Sequence, residues 1–190
     1  MKIKELLLIV LLVSSSTPVL ADVDFLAELG LHSGGDDLIT ANFTDGSSAT
    51  INAGEFFAID LGVAWDMGIM EGRVTGGLMY DTISADNGSI DFNRYTHQFI
   101  LLFKTGNWRF GGGYTYHFNI EVDGSGAAAI ASSEFDDALG WTAQTNYFFT
   151  ENAYFGLVYT NLEYDRLATL GNSNETFDAS SIAFTIGGRW

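Results

Sequence analysis

The sequence predicts an all-β fold, an eight-stranded antiparallel transmembrane up-and-down β-barrel, and three observations predict it. The last nine residues place Ile182, Phe184, Ile186 and Trp190 on one parity and Ala183, Thr185, Gly187 and Arg189 on the other. A strand alternates faces with period two, so one face is apolar, and a bilayer supplies the cover that face needs. Alternating segments of ten or more residues recur along the chain, against about five or six in ordinary globular sheets. The connections between them alternate short and long, as in barrels with short periplasmic turns and longer external loops.

Composition agrees. Glycine is abundant at 22, aromatics reach 14% and cysteine is absent, which excludes a disulfide framework or a thiolate metal site. Frequent glycine with periodic aromatics suits a crowded barrel interior and aromatic girdles. No apolar run after Val13 reaches the ~20 residues of a membrane helix, so a helical membrane protein is excluded. The N-terminus reads as a cleaved secretory signal over residues 1–21. Met1-Lys2-Ile3-Lys4 is basic, Leu6 to Val13 is apolar, and Val19-Leu20-Ala21 ends on a small residue. Residues 22–190 then form one barrel domain.

Eight segments follow in order. The first sets Phe25, Ala27, Leu29 and Leu31 outward against Glu28, Gly30 and His32. The second sets Phe57, Ile59, Leu61, Val63 and Trp65 against Ala58, Asp60, Gly62 and Ala64. In the third, Val74, Gly76, Leu78 and Tyr80 oppose Glu71, Arg73, Thr75 and Gly77. In the fourth, Tyr95, His97, Phe99, Leu101 and Phe103 oppose Arg94, Thr96 and Gln98. The fifth is the clearest: Trp108, Phe110, Tyr114, Tyr116 and Phe118 alternate with Arg109, Gly111, Gly113, Thr115, His117 and Asn119. The sixth pairs Leu139, Trp141, Ala143 and Tyr147 with Gly140, Thr142, Gln144 and Asn146. The seventh turns Phe155, Leu157 and Tyr159 outward, and the phase of its upper half, Leu162-Glu163-Tyr164, is ambiguous. The C-terminal segment is the eighth.

Met67-Gly68-Ile69, Thr105-Gly106-Asn107 and Thr150-Glu151-Asn152 are the short turns, and polar loops are expected near 33–54, 83–91, 121–134 and 167–177. Within the first, Asp45-Gly46-Ser47-Ser48 is a hairpin signal, so the first two strands can extend beyond the membrane above a bend at Gly34-Gly35. Trp65, Trp108 and Trp190 lie beside short turns or the C-terminus. With Phe103 they are the candidate girdle, since indole rings favour the headgroup boundary.

Carried on these residues, the chain resembles the small eight-stranded outer-membrane barrels of Gram-negative bacteria, the group of the OmpA transmembrane domain, OmpX and OmpW. The resemblance implies location in the outer membrane. It also implies that Ile182, Phe184, Ile186 and Trp190 form the signal read by the barrel-assembly machinery, with Gly188 departing from the usual hydrophobic residue. Small barrels resembling the lipid A deacylase carry a His and a Ser two residues apart. Here His32, His97 and His117 are followed two residues on by Gly34, Phe99 and Asn119, so no catalytic residue and no enzyme activity is expected.

The lumen is where function is decided. Parity sends Glu28, Asp60, Glu71, Arg73, Arg94, Gln98, Arg109, His117, Gln144 and Arg189 inward. Eight strands leave space that side chains just fill, so these charges should pair. Arg73, Arg94 and Arg109 with Glu28 and Asp60 are the expected network. A plugged barrel with a structural or surface-interaction role is the leading reading, with a narrow ion or small-solute channel as the alternative and a lipid-modifying enzyme third.

No metal or cofactor is expected. Around Asp86-Asn87-Gly88 an EF-hand frame would put Ile83 and Arg94 at its carboxylate positions. Beyond residue 21 only six basic residues face 23 acids, which disfavours nucleic acid. The expected partners are outer-membrane lipids and lipopolysaccharide, the barrel-assembly machinery, and an extracellular ligand of unknown identity; the expected state is a monomer.

Overall fold

The computed structural model describes residues 23–42, 48–85, 88–126, 132–167 and 175–190. The signal-peptide expectation for 1–21, the turn at Asp45-Gly46-Ser47, and Asp86 and Asn87 lie outside the described residues. Thirteen strands are present among them: β1 (Val23–Ser33), β2 (Asp37–Asn42), β3 (Ser48–Asn52), β4 (Phe56–Asp66), β5 (Met70–Ala85), β6 (Gly88–Thr105) and β7 (Trp108–Gly124). They continue with β8 (Ser133–Phe135), β9 (Ala138–Phe148), β10 (Ala153–Asn161), β11 (Glu163–Asp165), β12 (Thr176–Asp178) and β13 (Ser181–Arg189).

Eight of these, β1, β4, β5, β6, β7, β9, β10 and β13, form a closed antiparallel cylinder. The seam joins the first and last strands. Leu29 stands opposite Ile186, and Phe25 and Trp190 exchange both backbone hydrogen bonds at 3.0 and 3.1 Å. Closure leaves no unpaired edge, which a bilayer requires. Around the lower cylinder the alternation falls as expected, with Phe25, Leu61, Phe99, Phe110, Leu157 and Phe184 all exposed on the outer wall.

The three short turns connect the cylinder at one end, where both of its terminal strands also finish. At the other end the expected polar loops are mostly strand. β5 and β6 pair without a break to Ala85 opposite Gly88, where a loop was expected over 83–91. β7 runs on to Gly124 and is joined by β8, inside the expected loop 121–134. β11 pairs with β12 and β2 with β3, the latter being the anticipated hairpin. Gly34 and Gly35 at its base have φ of 136° and 80°, a conformation open to glycine and costly for other residues.

These extensions enclose an apolar core that the sequence reading did not contain. Leu38, Ile51, Ile90, Phe92, Ile120, Val122, Phe135, Leu162 and Tyr164 are its larger buried members, with Ala53, Ala138 and Ala179 between them, and Ile39, Ile83 and Phe177 pack against it. Asn119, expected in the lumen, is instead exposed at φ 51°. The β6–β7 register slips beside it, from Asn93 opposite Glu121 to Tyr95 opposite Phe118. It is a β-bulge, and it explains how Ile120 and Val122 turn inward although they share the parity of the outward Tyr116 and Phe118.

Candidate functional site: the barrel lumen

The inward side chains form two tiers. The lower tier, toward the short turns, centres on Glu71, which is 1% exposed. Its Oε1 accepts from Arg73 Nε at 2.6 Å, and its Oε2 accepts from Arg189 Nη1 at 3.0 Å with Arg109 Nε at 3.6 Å. One carboxylate thus faces three guanidinium groups contributed by three strands. Arg73 Nη1 also donates to the Tyr154 hydroxyl at 3.1 Å, and that hydroxyl donates to Glu28 Oε2 at 2.7 Å. Glu28 lies 4.0 Å from Arg73 and accepts from Gln144 at 3.1 Å. The Tyr154 ring lies against Gly187, where any Cβ would collide with it; the glycine there makes room for the network. Arg109 and Arg189 complete the floor over the Phe148 ring, at 4.8 and 4.9 Å from its centroid.

Asp60 does not enter this network as an ion pair. It accepts from Thr96 Oγ1 at 3.4 Å one layer higher. Gln98 faces the same space, half-buried. Arg94, expected to pair with Glu28 or Asp60, does neither. It is fully buried between tiers, its guanidinium carbon 3.8 Å from the Phe56 ring centroid and 4.1 Å from that of Phe92. The sequence grouped Arg94 with Arg73 because both are inward arginines on adjoining strands. The register separates them: Arg73 stands opposite Ile100, whereas Arg94 stands opposite Met79, six residues further along each strand.

His117 Nδ1 and the Tyr164 hydroxyl share a hydrogen bond of 2.7 Å, and His117 Nε2 and Thr115 Oγ1 one of 3.1 Å. His32 Nδ1 lies 3.2 Å from Ser181 Oγ, a cross-strand contact that a search for His and Ser two residues apart misses. It lacks the third group of a triad: His32 stacks on Phe56 at 4.2 Å and forms no ion pair with a carboxylate among the described residues. Tyr154, Ser181, Phe56 and Phe148 are among the inward residues the sequence reading missed, and Tyr164 is one whose direction it left open. Alternation counted back from Phe155 marks Tyr154 as inward, so only that signal was available for it.

On the outer wall Trp65 sits by Phe99, Phe103 by Phe110 and Trp108 by Tyr147, and Trp190 is exposed at the seam. His97 is outward and stacks on Phe118. At the lower rim Lys104 bonds Asp66 and holds its carboxyl below the usual range. The upper rim is acidic, with Asp36, Asp91, Asp123, Asp136, Asp137 and Glu163 around it.

A closed eight-strand cylinder with an apolar belt and a polar interior defines a class, the small outer-membrane β-barrel of bacteria. Solved structures of that class resemble it. Ail, the attachment invasion locus protein of Yersinia pestis, determined with the heparin analogue sucrose octasulfate, is 10% identical with a TM-score of 0.54, over 88% of this chain and 97% of that one. Neisserial surface protein A is 13% identical with a TM-score of 0.51 over the same shares. At these identities the likeness speaks for the fold. No family model and no curated protein matches the sequence.

Proposed function

We propose that this chain is a closed, monomeric outer-membrane barrel that anchors an acidic extracellular β-extension, with a structural or surface-interaction role and no enzymatic one. The observation that carries this is the doubly filled lumen: an ion-paired floor around Glu71 beneath an apolar plug around Phe92 and Tyr164. An ion crossing the barrel would have to break buried charge pairs and then enter a hydrocarbon-like core, and each step is costly.

The extension is the part offered to partners. Its rim acids favour cationic or cation-bridged surfaces, including lipopolysaccharide with its divalent counter-ions. Ail was solved with a polysulfated sugar; the acidic rim here is of the wrong sign for such a ligand. Ile182, Phe184, Ile186 and Trp190 are exposed along the seam strand, a placement that supports their reading as the assembly signal.

Conductance of the refolded protein in a planar bilayer tests the proposal. Wild-type protein shown to be folded is expected to be silent. Reproducible unitary steps altered by Glu71→Gln would overturn the plug and establish a narrow ion path through the floor.

A further inference from the structure

The outer wall is indented where the ladder between β9 and β10 gives out. The two strands pair up to Trp141 opposite Asn161, and contact resumes at Phe135 opposite Arg166. Between these points residues 136–140 face residues 162–165, an unequal match that bends the wall. Leu162 gives its carbonyl to the Ala179 amide, and β11 turns away to pair with β12. A groove of about 560 Å³ opens there, within the roughly 300–1,000 Å³ of small-molecule sites. Gly140 packs so closely on Asn161 and Leu162 that any Cβ would collide with them, so the groove is backed by protein and is separate from the lumen.

Its two ends differ in chemistry. The end toward the lipid belt is apolar and aromatic: Tyr114, Leu139 and Trp141 are 65, 71 and 46% exposed. Trp141 stands opposite Tyr114 and is braced by the Tyr159 ring, 5.2 Å away between centroids. The end toward the extension carries Asp136, Asp137, Glu163 and Asp165. None of these carboxylates forms an ion pair among the described residues. The adjoining Arg166 is taken by Glu175 at 2.8 Å. Tyr116 donates to Asp137 at 2.5 Å and holds it at the wall. Among the described residues no three acids or histidines are grouped as a metal site, so this charge is spread over an area that matches a bulkier organic cation.

We propose that the groove binds a cationic amphiphile, an organic ammonium carrying an aliphatic tail, which enters from the outer leaflet. The tail lies on Leu139 and Trp141 at the level of the lipid. The ammonium lies above it, among Asp136, Asp137 and Glu163, where the Tyr114 and Trp141 rings add the attraction of aromatic faces for a cation. An anionic amphiphile of the same length would bring its charge against those carboxylates. The proposal rests on the acidic extension as the part offered to partners, and its failure would leave the plugged lumen, which conductance tests, standing.

Dodecyltrimethylammonium is the probe, and dodecyl sulfate, with the same tail and the opposite charge, is the control. Titration of the isotope-labelled barrel in phosphatidylcholine nanodiscs is expected to shift the Trp141 indole N–H and the Leu139 and Glu163 amides saturably with the ammonium and not with the sulfate. Asp136→Asn combined with Glu163→Gln, both exposed positions, should weaken that binding about tenfold, and Trp141→Leu should weaken it independently. Equal shifts with dodecyl sulfate, or shifts spread without saturation around the belt, would reduce the groove to ordinary lipid-facing wall and overturn the proposal. Unchanged affinity in the double variant overturns it as well. Calcium alone moving the same amides at micromolar concentration would assign the carboxylates to a metal ion instead.

Discussion

The lower and upper halves of this barrel use the same strands in opposite dress. Along β6 below the boundary, Tyr95, Phe99 and Phe103 face out while Thr96 and Gln98 face in. Above it, Ile90 and Phe92 face in while Asp91 and Asn93 look the other way. On its β5 side the pairing of β6 is continuous through the change, and on its β7 side it slips by one residue at the Asn119 bulge. What differs is the surrounding solvent. Lipid outside makes an apolar wall favourable and lets the interior be polar if every charge is satisfied. Water outside restores the ordinary rule of apolar in and polar out. Arg94 stands where the rule turns over.

The largest expected effects separate the two interiors. Glu71→Ala leaves three guanidinium groups around a missing carboxylate and should cost about 3–5 kcal/mol. Phe92→Ala should cost a similar 3–5 kcal/mol through the cavity it opens. Urea titration of protein refolded in vesicles measures both. Planar-bilayer recording then sharpens the contrast: neither variant should conduct alone, because the other tier still blocks the path, and the double variant should. Conductance by Phe92→Ala alone would mean that the floor is no barrier.

A smaller effect tests whether the floor is a network or a set of separate pairs. Tyr154→Phe removes one hydroxyl that links Glu28 to Arg73 and should cost about 1–3 kcal/mol. In a double-mutant cycle with Gln144→Leu, coupling beyond additivity is expected, since both donors converge on Glu28 Oε2. Strict additivity would break the network description.

The smallest effect lies at the upper rim. Asp178 is exposed, and hydrogen bonds from the Ser180 side chain and amide hold its carboxyl below the usual range. A depressed carboxyl contributes stability above its unfolded pKa and loses it as pH falls through the folded value. Asp178→Asn should therefore destabilise at neutral pH, by less than about 1 kcal/mol given solvent screening. The difference from wild type should vanish under strong acid. A gap that persists in acid would point to lost packing instead of lost charge.

Much of the lower half was legible because one chemical contrast repeats every second residue, most clearly from Trp108 to Phe118. The upper half was not, for the reason the comparison gives. Where the surroundings change, alternation shifts phase, and the polar residues of 83–91 and 121–134 read as loop. The ambiguous phase at Leu162-Glu163-Tyr164 is that shift seen in sequence: Tyr159 faces lipid, and Leu162 and Tyr164 face the core. Register was equally hidden. The bond between Glu71 and Arg189 spans 118 positions, and no local pattern specifies which inward arginine meets which inward acid. Asn119 carried no warning either, as it is not a glycine, although asparagine is among the residues that tolerate its backbone conformation.

That bulge has a consequence for how this strand can change over time. In β7 every second residue stays apolar from Tyr114 through Val122, and the single extra residue at Asn119 moves the later ones to the other side. Removal of Asn119 would leave composition almost intact yet put Ile120 and Val122 into water and Glu121 into the apolar core. Insertions or deletions of two residues further out would preserve the phase. Length variation above this point is therefore expected in even steps, with odd steps tolerated only where a second offset restores the count.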